Sequence, residues 1–152
     1  MEFWIIARVY LIMSWYLAAF LSAVFAALTS IFAKIGIKNV DSNLATAIRT
    51  TVILLFTWGI VFSQKTAISL PQIEKTSWIF LILSALATGL SWLFYFYALK
   101  IGEANKVVPI DKLSLVLTII FAGLILKERI TPQTVLGSIL MTLGAITIAL
   151  AK

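Results

Sequence analysis

Three uninterrupted apolar runs decide what this chain can become. Counted between basic residues, positions 9–33, 76–99 and 130–151 hold 25, 24 and 22 residues without a charge. A helix needs about 20 such residues to cross a hydrocarbon core about 30 Å thick. Each run is therefore long enough to span a bilayer alone. Two shorter runs, 50–64 and 113–126, have 15 and 14 residues, and the shorter covers only about 21 Å as a helix. They reach spanning length only by borrowing across a charge. Extended N-terminally, they become helices over 44–62, with Arg49 inside, and over 107–126, with Asp111 and Lys112 inside. The expected fold is an all-α integral membrane protein with five transmembrane helices, near 14–35, 44–62, 77–99, 107–126 and 134–151.

Composition points the same way, with 62% hydrophobic and 12% charged residues and a mean hydropathy of +1.08, against about one-quarter charged residues in soluble domains. Cysteine and histidine are both absent. That removes disulfides, thiolate chemistry, the commonest zinc ligands and histidine acid/base catalysis. With no nucleotide-binding loop either, the chain reads as a non-enzyme that calls for no cofactor. The net charge of +6 comes from basic residues scattered through short loops, which is not the clustered patch a nucleic-acid surface needs.

Residues 1–13 read as an N-terminal extension of the first helix or an interfacial segment, with Met13 as an alternative start, and 14–152 as one transmembrane domain. The connections IKNVDSN, SQKTAISLPQIEK, KIGEANK and KERITPQ are too short to hold a further domain. Ser42 or Asn43 is the expected cap of the second helix, and Thr131 followed by Pro132 that of the fifth. Pro109 falls in the first turn of the fourth helix, where proline is tolerated. Orientation follows the excess of Lys and Arg in cytoplasmic loops. Here Arg8, Lys65, Lys75, Lys127 and Arg129 on one side face Lys34, Lys38, Lys100, Lys106 and Lys152 on the other, five against five.

A charge at hydrocarbon depth is costly, so an intramembrane ionisable residue is first a functional-site hypothesis. Arg49, Asp111 and Lys112 meet that description, on two helices that start on the same side. Asp111, Ser114, Thr118 and Ala122 recur at helical spacing and share a small, polar face suited to lining a water-filled path. The functional reading has Asp111 binding a cation or proton while Arg49 or Lys112 offers charge to an anionic group. The competing reading is an Arg49–Asp111 pair that only fixes helix packing, with Lys112 snorkelling to the interface. In the third helix, Thr88, Ser91, Trp92 and Tyr95 fall on one face, where aromatics with polar tips suit an organic solute. Gly137, Met141 and Gly144, with Ser138 and Thr142, give the fifth helix a small-residue surface for close helix packing.

Three stretches carry a family resemblance: AKIGIKNVDSNLATAIRT at 33–50, ATGLSWLFYFYALKIGEANKVVPIDKLS at 87–114, and LKERIT at 126–131 leading into LGSILMTLGAI at 136–146. The chain resembles one complete EamA domain of the drug/metabolite transporter superfamily, specifically its small bacterial and archaeal single-domain members. The resemblance implies a small secondary transporter of the prokaryotic cytoplasmic membrane, moving an organic metabolite by alternating access. It also implies a homodimer that rebuilds the tandem, inverted-repeat transporter. An odd helix number inverts tandem halves automatically, so separate copies match that geometry only as an antiparallel pair, and the level basic count permits both insertions. The last four helices also look like the small multidrug resistance exporters, but Ala26 stands where those rely on a membrane-embedded Glu. The alternatives are a lipid-linked headgroup flippase, an exporter of that multidrug type, or a non-transporting membrane subunit.

Overall fold

Three of the five spanning segments begin where a side chain accepts from the N–H groups that a helix start leaves unpaired. A computed structural model describes residues 14–151; the expectations for residues 1–13 lie outside the described residues. Helix α1 (Trp15–Gly36) follows Ser14, whose hydroxyl accepts from the Leu17 N–H at 3.4 Å. Helix α2 (Ser42–Ser63) is capped by Asp41, which accepts from the N–H groups of Asn43 at 2.9 Å and Leu44 at 3.2 Å. The cap is thus one residue earlier than expected, because α2 already includes Ser42 and Asn43. Those bonds, from Leu44 and then Asn43, hold the Asp41 carboxyl below the usual carboxylate range. A depressed folded value adds stability above the unfolded pKa, and the contribution is lost as pH falls through the folded one.

A 3₁₀ turn (Thr66–Gln72) leads to α3 (Lys75–Ile101). The fourth span, Ala104–Leu126, consists of α4 (Ala104–Asp111), α5 (Leu113–Phe121) and a final π-type turn. Helix α6 (Pro132–Leu150) starts as expected, with Thr131 accepting from the Thr134 N–H at 3.2 Å and proline in its first turn. All five candidate spans are long and apolar enough to cross a membrane, and no strand occurs among the described residues.

Pro109 departs from expectation. Helix α4 begins at Ala104, immediately after α3 ends at Gly102–Glu103, so Pro109 lies inside the helix rather than in its first turn. Proline has no N–H to return to the preceding turn, which weakens the ladder there. Three residues later the helix breaks at Lys112, whose carbonyl accepts from the Leu115 N–H in a tighter i+3 bond at 3.0 Å. The fourth span is therefore two helices joined at the Asp111–Lys112 step.

Helix α3 is the centre of the packing, with α1, α2 and α4 against it, while α6 covers α4 and α5. The buried cluster is Ala33, Ile37, Phe96 and Leu99, flanked by Ala45, Trp92, Tyr95, Ala104 and Val107. All of these sit where α1 and α3 finish and α2 and α4 begin, so the bundle is tied at one end. A clasp closes that end. Lys34 Nζ, from the last turn of α1, donates to the carbonyls of Leu99 at 2.6 Å and Gly102 at 2.5 Å. A cation on the carbonyls that a helix end leaves free is favourable both as a hydrogen bond and against the helix dipole. Elsewhere large apolar side chains point outward, Phe56 and Phe80 being 68% and 66% exposed, as a surface solvated by lipid requires.

Gly102 lets the clasp close. A Cβ there would lie 2.9 Å from Val107 Cγ2 and 3.1 Å from the Ala98 carbonyl oxygen. Gly102→Ala is expected to destabilise the protein by about 1–3 kcal/mol, as overpacking does. Gly36→Ala, where a Cβ meets nothing within 4 Å, should not. Thermal unfolding of both variants in the same detergent checks the contrast, and equal midpoints would show that the clasp region yields freely.

Candidate functional site

The three intramembrane charges do not meet. Asp111 Oδ2 lies 3.3 Å from Lys112 Nζ, and Arg49 makes no ion pair with either. The Arg49–Asp111 pair of the competing reading is therefore not formed. The acid instead faces its sequence neighbour Lys112.

The two residues at the break line different cavities. Asp111 contributes to one of about 490 Å³ between α3, α4 and the end of α6, together with Ser91, Tyr95, Glu103, Lys106 and Ile110. Lys112 contributes to one of about 330 Å³ on the other side of α4, facing a stripe of α1 made by Ala19, Ser22, Ala26 and Ser30. A single hydrogen bond crosses between these spaces: the Tyr95 hydroxyl donates to Ser30 Oγ at 2.6 Å, and Ser30 in turn donates to the Ala26 carbonyl at 2.9 Å. Tyr95 and Ser30 thus join α3 to α1 at the level of the break.

Arg49 occupies a third space, of about 220 Å³, between α1, α2 and α3. Its guanidinium carbon stands 4.5 Å from the Phe96 ring centre, a cation–π distance. Phe96 is fully enclosed, with the Tyr95 ring against it at 5.4 Å and Trp92 at 6.4 Å. The expected polar face of α3 divides accordingly. Trp92 packs on the core, Ser91 and Tyr95 line the Asp111 cavity, and Thr88 is exposed, its hydroxyl donating to the Ser84 carbonyl at 2.9 Å. Ser114 and Thr118 are exposed on α5, where the Thr118 hydroxyl donates to the Ser114 carbonyl at 2.8 Å.

On α6 the small residues also divide. Ser138 and Thr142 face α5 within the chain, whereas a Cβ on Gly137 or Gly144 would meet nothing within 4 Å, and Met141 between them is 42% exposed. The described residues hold no group of acids able to bind a metal ion.

Residues 13–150 match the EamA-like transporter family. The chain belongs to this family. Among its relatives, a Sinorhizobium protein described as an uncharacterized transporter in the cobO 3′ region is 46% identical over 136 residues, covering 90% of this chain and 96% of its own length. An uncharacterized Methanocaldococcus jannaschii protein is 26% identical over 138 residues, covering 87% and 93%. No solved structure matches the chain significantly. This EamA chain is a multi-pass membrane protein of a transporter family, and its single five-helix unit is the length of those relatives.

Lys34, Ser30 and Phe96 were absent from the sequence-based site. Ser30 was signalled by the Ala/Ser stripe along α1 at three- and four-residue spacing. Lys34 and Phe96 carry no such mark, since their partners lie more than 40 residues away in sequence. Tyr95→Phe should cost about 1 kcal/mol of stability through the lost bond to Ser30. Combining it with Ser30→Ala in a double-mutant cycle should give a double mutant less destabilised than the sum of the singles, and strict additivity would mean the hydroxyls act independently.

Proposed function

We propose that this protein is a secondary transporter that moves a small organic metabolite across the prokaryotic cytoplasmic membrane by alternating access, working as an antiparallel homodimer. The observation that carries the reading is the interrupted fourth span, which puts Asp111 and Lys112 at a helix break with a cavity on either side. Broken helices that bring charge and free backbone groups to mid-membrane are a recurrent basis of transporter sites. Family membership supports the class of function.

In this reading Asp111, Tyr95 and Ser91 receive the solute in the larger cavity, and Asp111 exchanges its Lys112 partner for a cation, a proton or an amino group. Trp92 backs the site, Thr88 extends the polar line of α3, and Ser114 and Thr118 continue the path along α5. The bundle is tied at the Lys34 end, which offers a fixed point about which the rest rocks. Metabolite-loaded proteoliposomes test this. The wild-type protein should release one or more solutes faster than empty liposomes, as read by mass spectrometry of the external medium, and Asp111→Asn should abolish release while keeping the helical circular dichroism signal. Release by Asp111→Asn at the wild-type rate would remove Asp111 from the site.

The dimer reading rests on the level basic count and on the open α6 surface. A Cβ at Gly137 or Gly144 meets nothing within 4 Å in one chain, which leaves that surface open to the α6 of a second copy. Gly137→Leu and Gly144→Leu should therefore leave monomer unfolding unchanged yet abolish intermolecular crosslinking. A C-terminal reporter should be found on both sides of the membrane, and Lys residues added to the 65–75 loop should push the population one way. A wild-type C-terminus confined to one side would leave only the parallel dimer or the monomer.

A further inference from the structure

Among the described residues Arg49 meets neither a counter-charge nor, at its Nε, a hydrogen-bond acceptor. Its Nε is buried without a hydrogen-bond partner, it makes no ion pair, and its cavity is lined by Phe32, Ala33, Ile37, Ala45, Ile48 and Phe96, with no acid. Translocon-based scales put a central Arg at about +2.5 to +3.5 kcal/mol. The Phe96 ring offsets about 0.5–2 kcal/mol of that. The remainder needs an anion.

Among the described residues no carboxylate within the spans is free to supply it, and Glu74, before α3, and Glu128, after the fourth span, lie at the far end of the bundle from the start of α2. Among the five spans the single acid is Asp111, and that carboxylate is already against Lys112. Glu103 stands outside the fourth span and lies 3.4 Å from Lys106, and Asp41 is occupied in capping α2. Within this chain the missing charge is left to a bound ligand.

We propose that Arg49 is an oxyanion site, taking a carboxylate or phosphate group between α1 and α2. A guanidinium presents five N–H donors in a planar fork that matches the two oxygens of such a group, and it never deprotonates. Stacking on Phe96 limits the motion of that fork before the ligand arrives. The cavity, at about 220 Å³, is smaller than the 300–1,000 Å³ typical of whole-metabolite pockets. It accommodates the acidic group of a ligand whose body lies elsewhere. A soluble metabolite and a phospholipid headgroup both carry that chemistry. Only the first assignment rests on the transporter reading above, where it makes the solute an organic acid or phosphate ester.

The test needs no substitution at Arg49. The chain has three arginines, Arg8, Arg49 and Arg129, and Arg129 is exposed, so it serves as an internal control. The full protein, delipidated in dodecyl maltoside with sodium chloride, is treated with phenylglyoxal, and modification of each arginine is followed by peptide mass spectrometry. Phosphate, succinate and phosphatidylglycerol are then compared at constant ionic strength. Arg49 should react in chloride and be slowed about tenfold at ten times the half-protecting concentration, by mass action, with Arg129 unaffected. Protection by phosphate or succinate assigns a soluble ligand, and protection by phosphatidylglycerol alone assigns a lipid headgroup. An Arg49 that none of the three protects, or that is inert in chloride, overturns the site. Solute release from proteoliposomes alongside an unprotected Arg49 would overturn this inference and leave transport standing, and a protected Arg49 in a protein that moves nothing would do the reverse.

Discussion

The Lys34 ammonium on the carbonyls of Leu99 and Gly102 is the contact on which the remaining arrangement depends. In hydrocarbon, apolar side chains gain little by packing on one another rather than on lipid, so helices are held by close approach and by polar contacts. This bundle uses one strong polar contact at one end. The clasp draws the end of α1 onto the end of α3, and Gly102 allows α4 to start at once. The short turn then carries α4 back along both helices. The enclosed cluster around Phe96 and Leu99 lies beside the clasp for that reason, and the opposite half of the bundle stays loosely joined.

The break in the fourth span lies three residues beyond a proline that the early start of α4 places inside the helix. A helix entering the membrane at Ala104 reaches Pro109 with a full turn already formed, so the proline removes a ladder bond instead of occupying a harmless first position. The helix yields at Lys112, and the pair that forms there takes Asp111 away from Arg49. A packing event at the membrane surface therefore determines which intramembrane charges are neutralised and which one is left alone.

The spans themselves were legible because they rest on length and charge-free counting, which are local properties. All five candidate spans overlap the expected ones, and the Thr131–Pro132 start was marked by residue type alone. The failures share a different character. Taking helix 4 to begin at 107 followed from stopping at Lys106 once spanning length was reached, whereas α4 already includes Asn105 and Lys106. The Arg49–Asp111 pair was inferred from similar depth, but depth fixes only one coordinate of three. Rotation of each helix about its axis is not fixed by depth, and it places the two charges in separate spaces.

That separation changes what a site in this chain can recognise. A cluster of Arg49, Asp111 and Lys112 would present both signs of charge to one functional group and would be largely self-neutralised before any ligand arrived. Divided as they are, the break offers an acid and a base that are paired to each other and exposed to two cavities, while Arg49 keeps its full charge against an apolar wall. A ligand that carries an acidic group gains at Arg49 without first breaking an ion pair, whereas a cationic group must displace Lys112 from Asp111 to gain anything. With similar contact energies elsewhere, the anionic end of a solute is the cheaper one to bind, and the Ala26 position on α1, facing the Lys112 cavity with no carboxylate, removes the remaining competitor for that preference.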